Sequence, residues 1–80
     1  MYYTYILKSM NNKYYIGYTR DVNERLRLHN SGQVISTRSS LPWQLFYKEE
    51  FESERDAIIR ERQLKAWKSR KALERLKFFK

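Results

Sequence analysis

Eighty residues can build one domain with one modest core, because a chain of this length buries only about 60 to 65% of the surface that its unfolded form exposes. It contains no cysteine, which excludes a disulfide framework and a thiolate metal site and fits a reducing, cytoplasmic setting. Seventeen Lys and Arg against nine Asp and Glu leave a net charge of +8, which predicts a polyanionic partner.

In chain order, Tyr3 to Lys8 and Tyr14 to Thr19 are rich in aromatic and β-branched residues, and Ser9-Met10-Asn11-Asn12-Lys13 between them reads as a polar turn, so the three together predict a β-hairpin. Asp21, with Glu24 three residues later, makes a capping-box pattern that opens a helix with Val22, Leu26 and His29 on one face. Asn30-Ser31-Gly32 ends it, since Gly is the least costly residue in the left-handed position after a helix. Gln33 to Ser40 reads as a polar loop, Pro42 blocks helix continuation, and Leu45 to Phe51 predicts a third strand. Ser53, with Asp56 three residues later, opens a second helix carrying Ala57, Ile58, Leu64 and Trp67. Ser69 caps a third with Ala72, Leu73, Leu76 and Phe79. The order strand, strand, helix, strand, helix, helix, with no repeat and no linker, predicts one α+β unit over residues 1–80.

Half of the positive charge lies in the last quarter of the chain, where nine Lys and Arg from Arg60 to Lys80 face only Glu61 and Glu74. A solvated helix face is the bland reading. Clustered cations release phosphate counterions on binding, however, so nucleic acid is the leading partner, with acidic proteins and membrane surfaces behind it. No signal-peptide pattern opens the chain, and no apolar stretch approaches the ~20 residues that span a bilayer, so no membrane partner is expected.

Glu61 stands out. Its spacing from Ala57, Ile58 and Leu64 puts a carboxylate on the apolar side of the second helix, where it must be paired or bound to a metal. An ion pair with an arginine and a metal site are equally open at this point. Arg25 and His29, four apart, project from one side of the first helix and together suit a phosphate: a guanidinium fork binds its oxygens, and an imidazole donates to one or moves a proton. The plain alternatives are an exposed arginine and a histidine that satisfies a helix end. Six of the seven tyrosines lie in the hairpin, so most should be packing residues. Tyr5 and Tyr15 fall on one face, with Gly17 leaving space beside them. A phenol titrates near pH 10, so it works as a base near neutrality only beside a positive charge.

These residues carry a resemblance. Tyr3-Thr4-Tyr5-Ile6-Leu7, followed ten residues after Tyr5 by Tyr15-Ile16-Gly17, resembles the paired motifs of the GIY-YIG nuclease superfamily, with the first motif reduced to its tyrosine and the second intact. Arg25 falls where the family has its catalytic arginine, His29 where many members have His or Tyr, and Glu61 at the metal-binding glutamate. Small standalone bacterial members are most similar, with a Trp-Lys-Ser-Arg-Lys stretch like 67–71 after the glutamate helix. The nuclease domain of the excision-repair incision subunit differs in two places: it has a lysine where this chain has Tyr18 and an asparagine where it has Leu73.

The resemblance implies a three-stranded antiparallel sheet flanked by about three helices, and a metal-dependent endonuclease acting in DNA repair or processing. It further implies one Mg²⁺ or Mn²⁺ on Glu61, Tyr15 as base, Tyr5 ordering water or phosphate, Arg25 and His29 stabilising the transition state, and Gly17 giving close approach. Nucleic-acid contacts are expected from Arg20, Thr37, Arg38, Trp43, Lys65, Lys68, Arg70 and Lys71, with DNA ahead of RNA and room for a protein partner that delivers substrate. Two alternatives are a binding module that is non-catalytic or depends on a partner, and a protein-interaction adaptor.

Overall fold

The computed structural model describes residues 1–67 and 70–76, the side chain of Arg70 excepted. Strand β1 (Tyr2–Ser9) pairs antiparallel with β2 (Tyr14–Thr19) and with β3 (Trp43–Phe51), giving the order β2-β1-β3. β1 is the central strand, and Thr4 to Leu7 are all buried because both of its faces are covered. In the hairpin turn the Ser9 hydroxyl accepts from the amides of Asn11 and Lys13, and Asn12 takes the left-handed φ of 62° that asparagine tolerates.

Helix α1 (Val22–Asn30) starts on Asp21, whose carboxylate accepts from the Glu24 amide at 3.0 Å. The reciprocal half of the capping box does not form: the Glu24 carboxylate turns to Arg27, and the Thr19 hydroxyl takes the Asp21 amide. Gly32 closes the helix at φ 82°, with its amide on the His29 carbonyl. The segment expected as loop contains a 3₁₀ turn at Arg38–Ser40. β3 begins two residues earlier than its apolar pattern suggested, because Trp43 pairs with Ser9. Between Leu45 and Tyr47 the register with β1 shifts, and this irregularity lets the consecutive residues Phe46 and Tyr47 pack on the same cluster.

Helix α2 (Glu54–Trp67) opens on Ser53, whose hydroxyl accepts from the Asp56 amide, and α3 (Arg70–Arg75) follows it. The expected cap Ser69 and the apolar Phe79 lie outside the described residues.

Alternate residues of β1 serve two cores. Ile6 packs with Leu64, Leu73 and Leu76 on the α2 and α3 side. Tyr5 and Leu7 pack with Trp43, Tyr15 and Leu26 on the α1 side. Thr4 ties the sheet to α2 by donating to the Ala57 carbonyl at 2.7 Å. Trp67, read as part of the apolar stripe, is instead exposed, with the Arg60 guanidinium over its ring. Among the described residues no helix is long and apolar enough to cross a membrane.

Candidate active site

Tyr5 and Gly17 are register partners in the hairpin, and the missing side chain at Gly17 leaves room for the Tyr5 ring. A Cβ at position 17 would stand 2.7 Å from the Tyr5 hydroxyl oxygen and 3.2 Å from the Tyr15 ring. The space expected to admit substrate backbone is therefore filled by a phenol of the protein itself. Tyr15 lies beside it, with ring centroids 6.3 Å from Tyr5 and 4.7 Å from His29.

His29 comes from the buried side of α1 and is fully enclosed, at 0% exposure. Both of its ring nitrogens are engaged: Nε2 lies 3.1 Å from the Tyr5 hydroxyl and Nδ1 lies 2.8 Å from Thr37 Oγ1. Such pairing is what a buried imidazole requires. Burial, aided by the charge of Arg25, lowers the His29 pKa below its ordinary value, so the ring is neutral near pH 7. An imidazole so placed stands behind Tyr5 and does not reach a phosphate, which corrects the expectation that it would donate to one.

Two further expectations change. Thr37 and Trp43, read as nucleic-acid contacts, are 1% and 5% exposed. The Trp43 indole N–H donates to the Thr37 carbonyl at 2.9 Å, so the tryptophan anchors the loop and its ring cannot stack on a base. Nothing in the local sequence separates a buried loop threonine from a solvated one. The available signal was His29 itself, because a histidine spaced with Val22 on an apolar face needs partners for two nitrogens.

Arg25 is half-buried, and among the described residues it has no carboxylate at ion-pair distance. Its positive charge favours the ionised form of the Tyr5 hydroxyl, and the charge of Glu61, from α2, opposes it. Desolvation is the largest influence on Tyr5, followed by Tyr15, and it pushes the phenol well above its ordinary pKa, so Tyr5 stays protonated. Arg25 also lines an open depression with Tyr2, Tyr18, Thr19, Arg20 and Glu54. Tyr18 makes a long hydrogen bond of 3.4 Å to Glu54 there. Leu73, at the position of the asparagine in the excision-repair domain, is a core residue.

The Glu61 side chain is 16% exposed, as its place on the helix predicts, and its partner is Lys65 one turn on at 3.5 Å. No arginine takes it among the described residues. A lysine pair that long, with Lys65 itself 55% exposed, contributes little, at most about 1 kcal/mol, and leaves the carboxylate available. Among the described residues no group of three or more His, Cys, Asp and Glu gathers as a metal cage.

Of the other basic residues, Arg20 is exposed with its guanidinium over Tyr2, and Arg38 and Lys71 are exposed. Arg60 is spent on Glu49 in a bidentate pair. Lys68 and the side chain of Arg70 lie outside the described residues.

Comparison with known proteins identifies the family of this fold. The model of the GIY-YIG catalytic domain matches residues 1–75. A UPF0213 protein of Bacillus pumilus is 40% identical over 70 residues, covering 86% of this chain and 71% of the relative. A second from Streptococcus pneumoniae serotype 4 is 44% identical over 64 residues, covering 79% of this chain and 65% of the relative. A third from Staphylococcus aureus is 36% identical over 76 residues, covering 94% and 93%. The solution NMR structure of a UPF0213 protein from Bacillus halodurans superposes with a TM-score of 0.60 at 32% identity, covering 99% of this chain and 86% of that one. A family match over nearly the whole chain, a relative matched over 93% of its own length, and a solved structure with the same architecture together make this chain a member of the GIY-YIG catalytic-domain family, alongside the UPF0213 proteins.

Proposed function

We propose that this domain is a metal-dependent endonuclease that hydrolyses nucleic-acid phosphodiesters, with DNA as its preferred substrate. The observation that carries the reading is one phenol within reach of two opposite charges: Arg25 from α1 and Glu61 from α2 both bear electrostatically on Tyr5, which lies beside Tyr15, and neither is held by a strong ion pair among the described residues. The cation, the carboxylate and the two phenols come from four separate elements, and only the phenols share a packing role.

Glu61 is a hard oxygen donor, and its isolation among the described residues fits a divalent cation that keeps most of its waters, as Mg²⁺ or Mn²⁺ does, and not one that needs a full protein cage. Such an ion, when bound, supplies Lewis-acid polarisation of a phosphate oxygen. Arg25, with no carboxylate partner among the described residues, binds the phosphate through its fork and stabilises the charge that grows on it. Tyr15, once it has given up its own phenolic proton to solvent, takes the proton of the attacking water. Tyr5 orders the incoming water or phosphate, and His29 acts as a positioning residue that holds Tyr5. Arg20, Arg38, Lys65 and Lys71 contact the flanking backbone, with Lys68 and Arg70 expected to extend that track, in a repair or processing role.

The test is nicking of labelled single-stranded, duplex and branched DNA at low salt with Mg²⁺ or Mn²⁺, by wild type beside Glu61→Gln. Cutting by wild type alone supports the nuclease and its metal ligand. Salt-sensitive binding by both proteins without cutting by either would make the domain a binding module. If several phosphates are contacted, log affinity should fall by roughly 0.7 to 0.9 per contact for each tenfold rise in salt.

A further inference from the structure

The buried hydrogen bonds behind the site run in one direction. Thr37 Oγ1 lies 3.4 Å from the Val34 carbonyl oxygen and 2.8 Å from His29 Nδ1. A carbonyl only accepts, so the single Thr37 hydroxyl proton goes to Val34, and Thr37 in turn accepts from Nδ1–H of His29. A neutral imidazole protonated on Nδ1 is left with Nε2 as an acceptor, and the Tyr5 hydroxyl at 3.1 Å is the group that donates to it. The contacts at the two ring nitrogens are both met by one tautomer, protonated on Nδ1 and accepting on Nε2. Hydrogen bonds aligned this way reinforce one another.

We infer that Thr37 is a positioning residue that fixes His29 in the Nδ1–H tautomer, so that the Tyr5 proton is committed to Nε2 and the Tyr5 oxygen is left as an acceptor only. An acceptor-only phenol cannot donate to a phosphate oxygen. It can hold a water by accepting one of its hydrogens. Of the two tasks open to Tyr5, ordering the water or ordering the phosphate, this arrangement leaves the water, and Arg25 keeps the phosphate. The functional consequence rests on the nuclease reading, but the tautomer does not.

His29 is the only histidine in the chain, so its two ring nitrogens can be observed without assignment conflict. The experiment is long-range ¹H–¹⁵N correlation on the ¹⁵N-labelled full chain, above the ordinary His titration range, for wild type, Thr37→Val and Thr37→Ser. Cleavage kinetics are measured on the same samples. Wild type should show a protonated Nδ1 and a bare Nε2. Thr37→Val should shift the population toward Nε2–H and lower kcat about tenfold with little change in KM, the loss of one hydrogen bond's worth of orientation. Thr37→Ser should restore both.

An Nε2–H tautomer in wild type, or an unchanged Nδ1–H tautomer in Thr37→Val, overturns the inference. The wild-type spectrum decides even if the valine variant does not fold. Because the spectrum needs no turnover, an inactive protein with the Nδ1–H tautomer would sink the nuclease reading and leave this one standing, and an active protein with the Nε2–H tautomer would do the reverse.

Discussion

On the α2 side of the sheet Ile6 packs against Leu64, Leu73 and Leu76; one residue away along the same strand, Tyr5 and Leu7 pack with Trp43, Tyr15 and Leu26 on the α1 side. The buried cluster of the first region is aliphatic, and its polar atoms lie beside it, where Thr4 donates to the Ala57 carbonyl and the Tyr14 hydroxyl is buried with no hydrogen-bond partner among the described residues. The second contains a phenol, an imidazole and an indole, each with a polar atom that must find a partner once water is gone. Its hydrogen bonds join Tyr5, His29, Thr37 and Trp43 in sequence. Aliphatic packing tolerates volume-conserving exchange, whereas a polar chain fixes orientation at every link. One side of the strand is thus suited to holding the domain together, and the other to aiming side chains.

The comparison breaks most visibly at Leu64. Truncation to alanine in the aliphatic region should cost about 2 to 5 kcal/mol, read as a drop in the urea midpoint, because the cavity has no polar reason to fill. A loss well under that would mean that α2 is not a principal support. On the other side, Gly17→Ala should cost about 1 to 3 kcal/mol by forcing the Tyr5 hydroxyl off its seat, and it should depress cleavage by the molecules that remain folded. Unchanged cleavage and stability would show that Tyr5 can move freely. Trp43→Phe keeps the ring and removes the indole N–H, leaving the Thr37 carbonyl short of a donor at a cost in the lower part of about 1 to 3 kcal/mol. Urea melts equal to wild type would mean that water replaces that donor.

The smallest effect is in pH. His29 has a pKa lowered by burial first and by Arg25 second, so on acidification the unfolded chain takes up a proton near 6.5 before the folded one does. His29 therefore contributes stability that is present above about pH 6.5 and is lost as pH falls from there through the folded-state value. Melting temperatures of wild type and His29→Gln should draw closer across that window. Parallel curves would show that the ring does not titrate below its ordinary range.

Much of the framework was legible from local chemistry. Asp21 and Ser53 announce their helices with side-chain caps, Gly32 ends α1 through its left-handed φ, and the apolar positions of α2 place Glu61 toward the interior. What was not legible depends on contacts between distant segments. Trp43 and Thr37 sit in a polar stretch and look solvated until the sheet pairs Trp43 with Ser9 and the loop folds over His29. The same limit applies to Gly17, whose vacancy is visible in sequence while its occupant is not, and to Arg60, counted with the free cations until β3 brings Glu49 beside it.

The most direct test of the account is Arg25→Ala, with DNA cleavage and melting temperature measured on the same preparation beside wild type. Arg25 is half-buried and has no ion pair to lose among the described residues, so the melting temperature should stay close to that of wild type while the cleavage rate falls by about 10² to 10³. A variant that melts normally and cuts as fast as wild type would remove the arginine from the chemistry and contradict the site proposed for this fold.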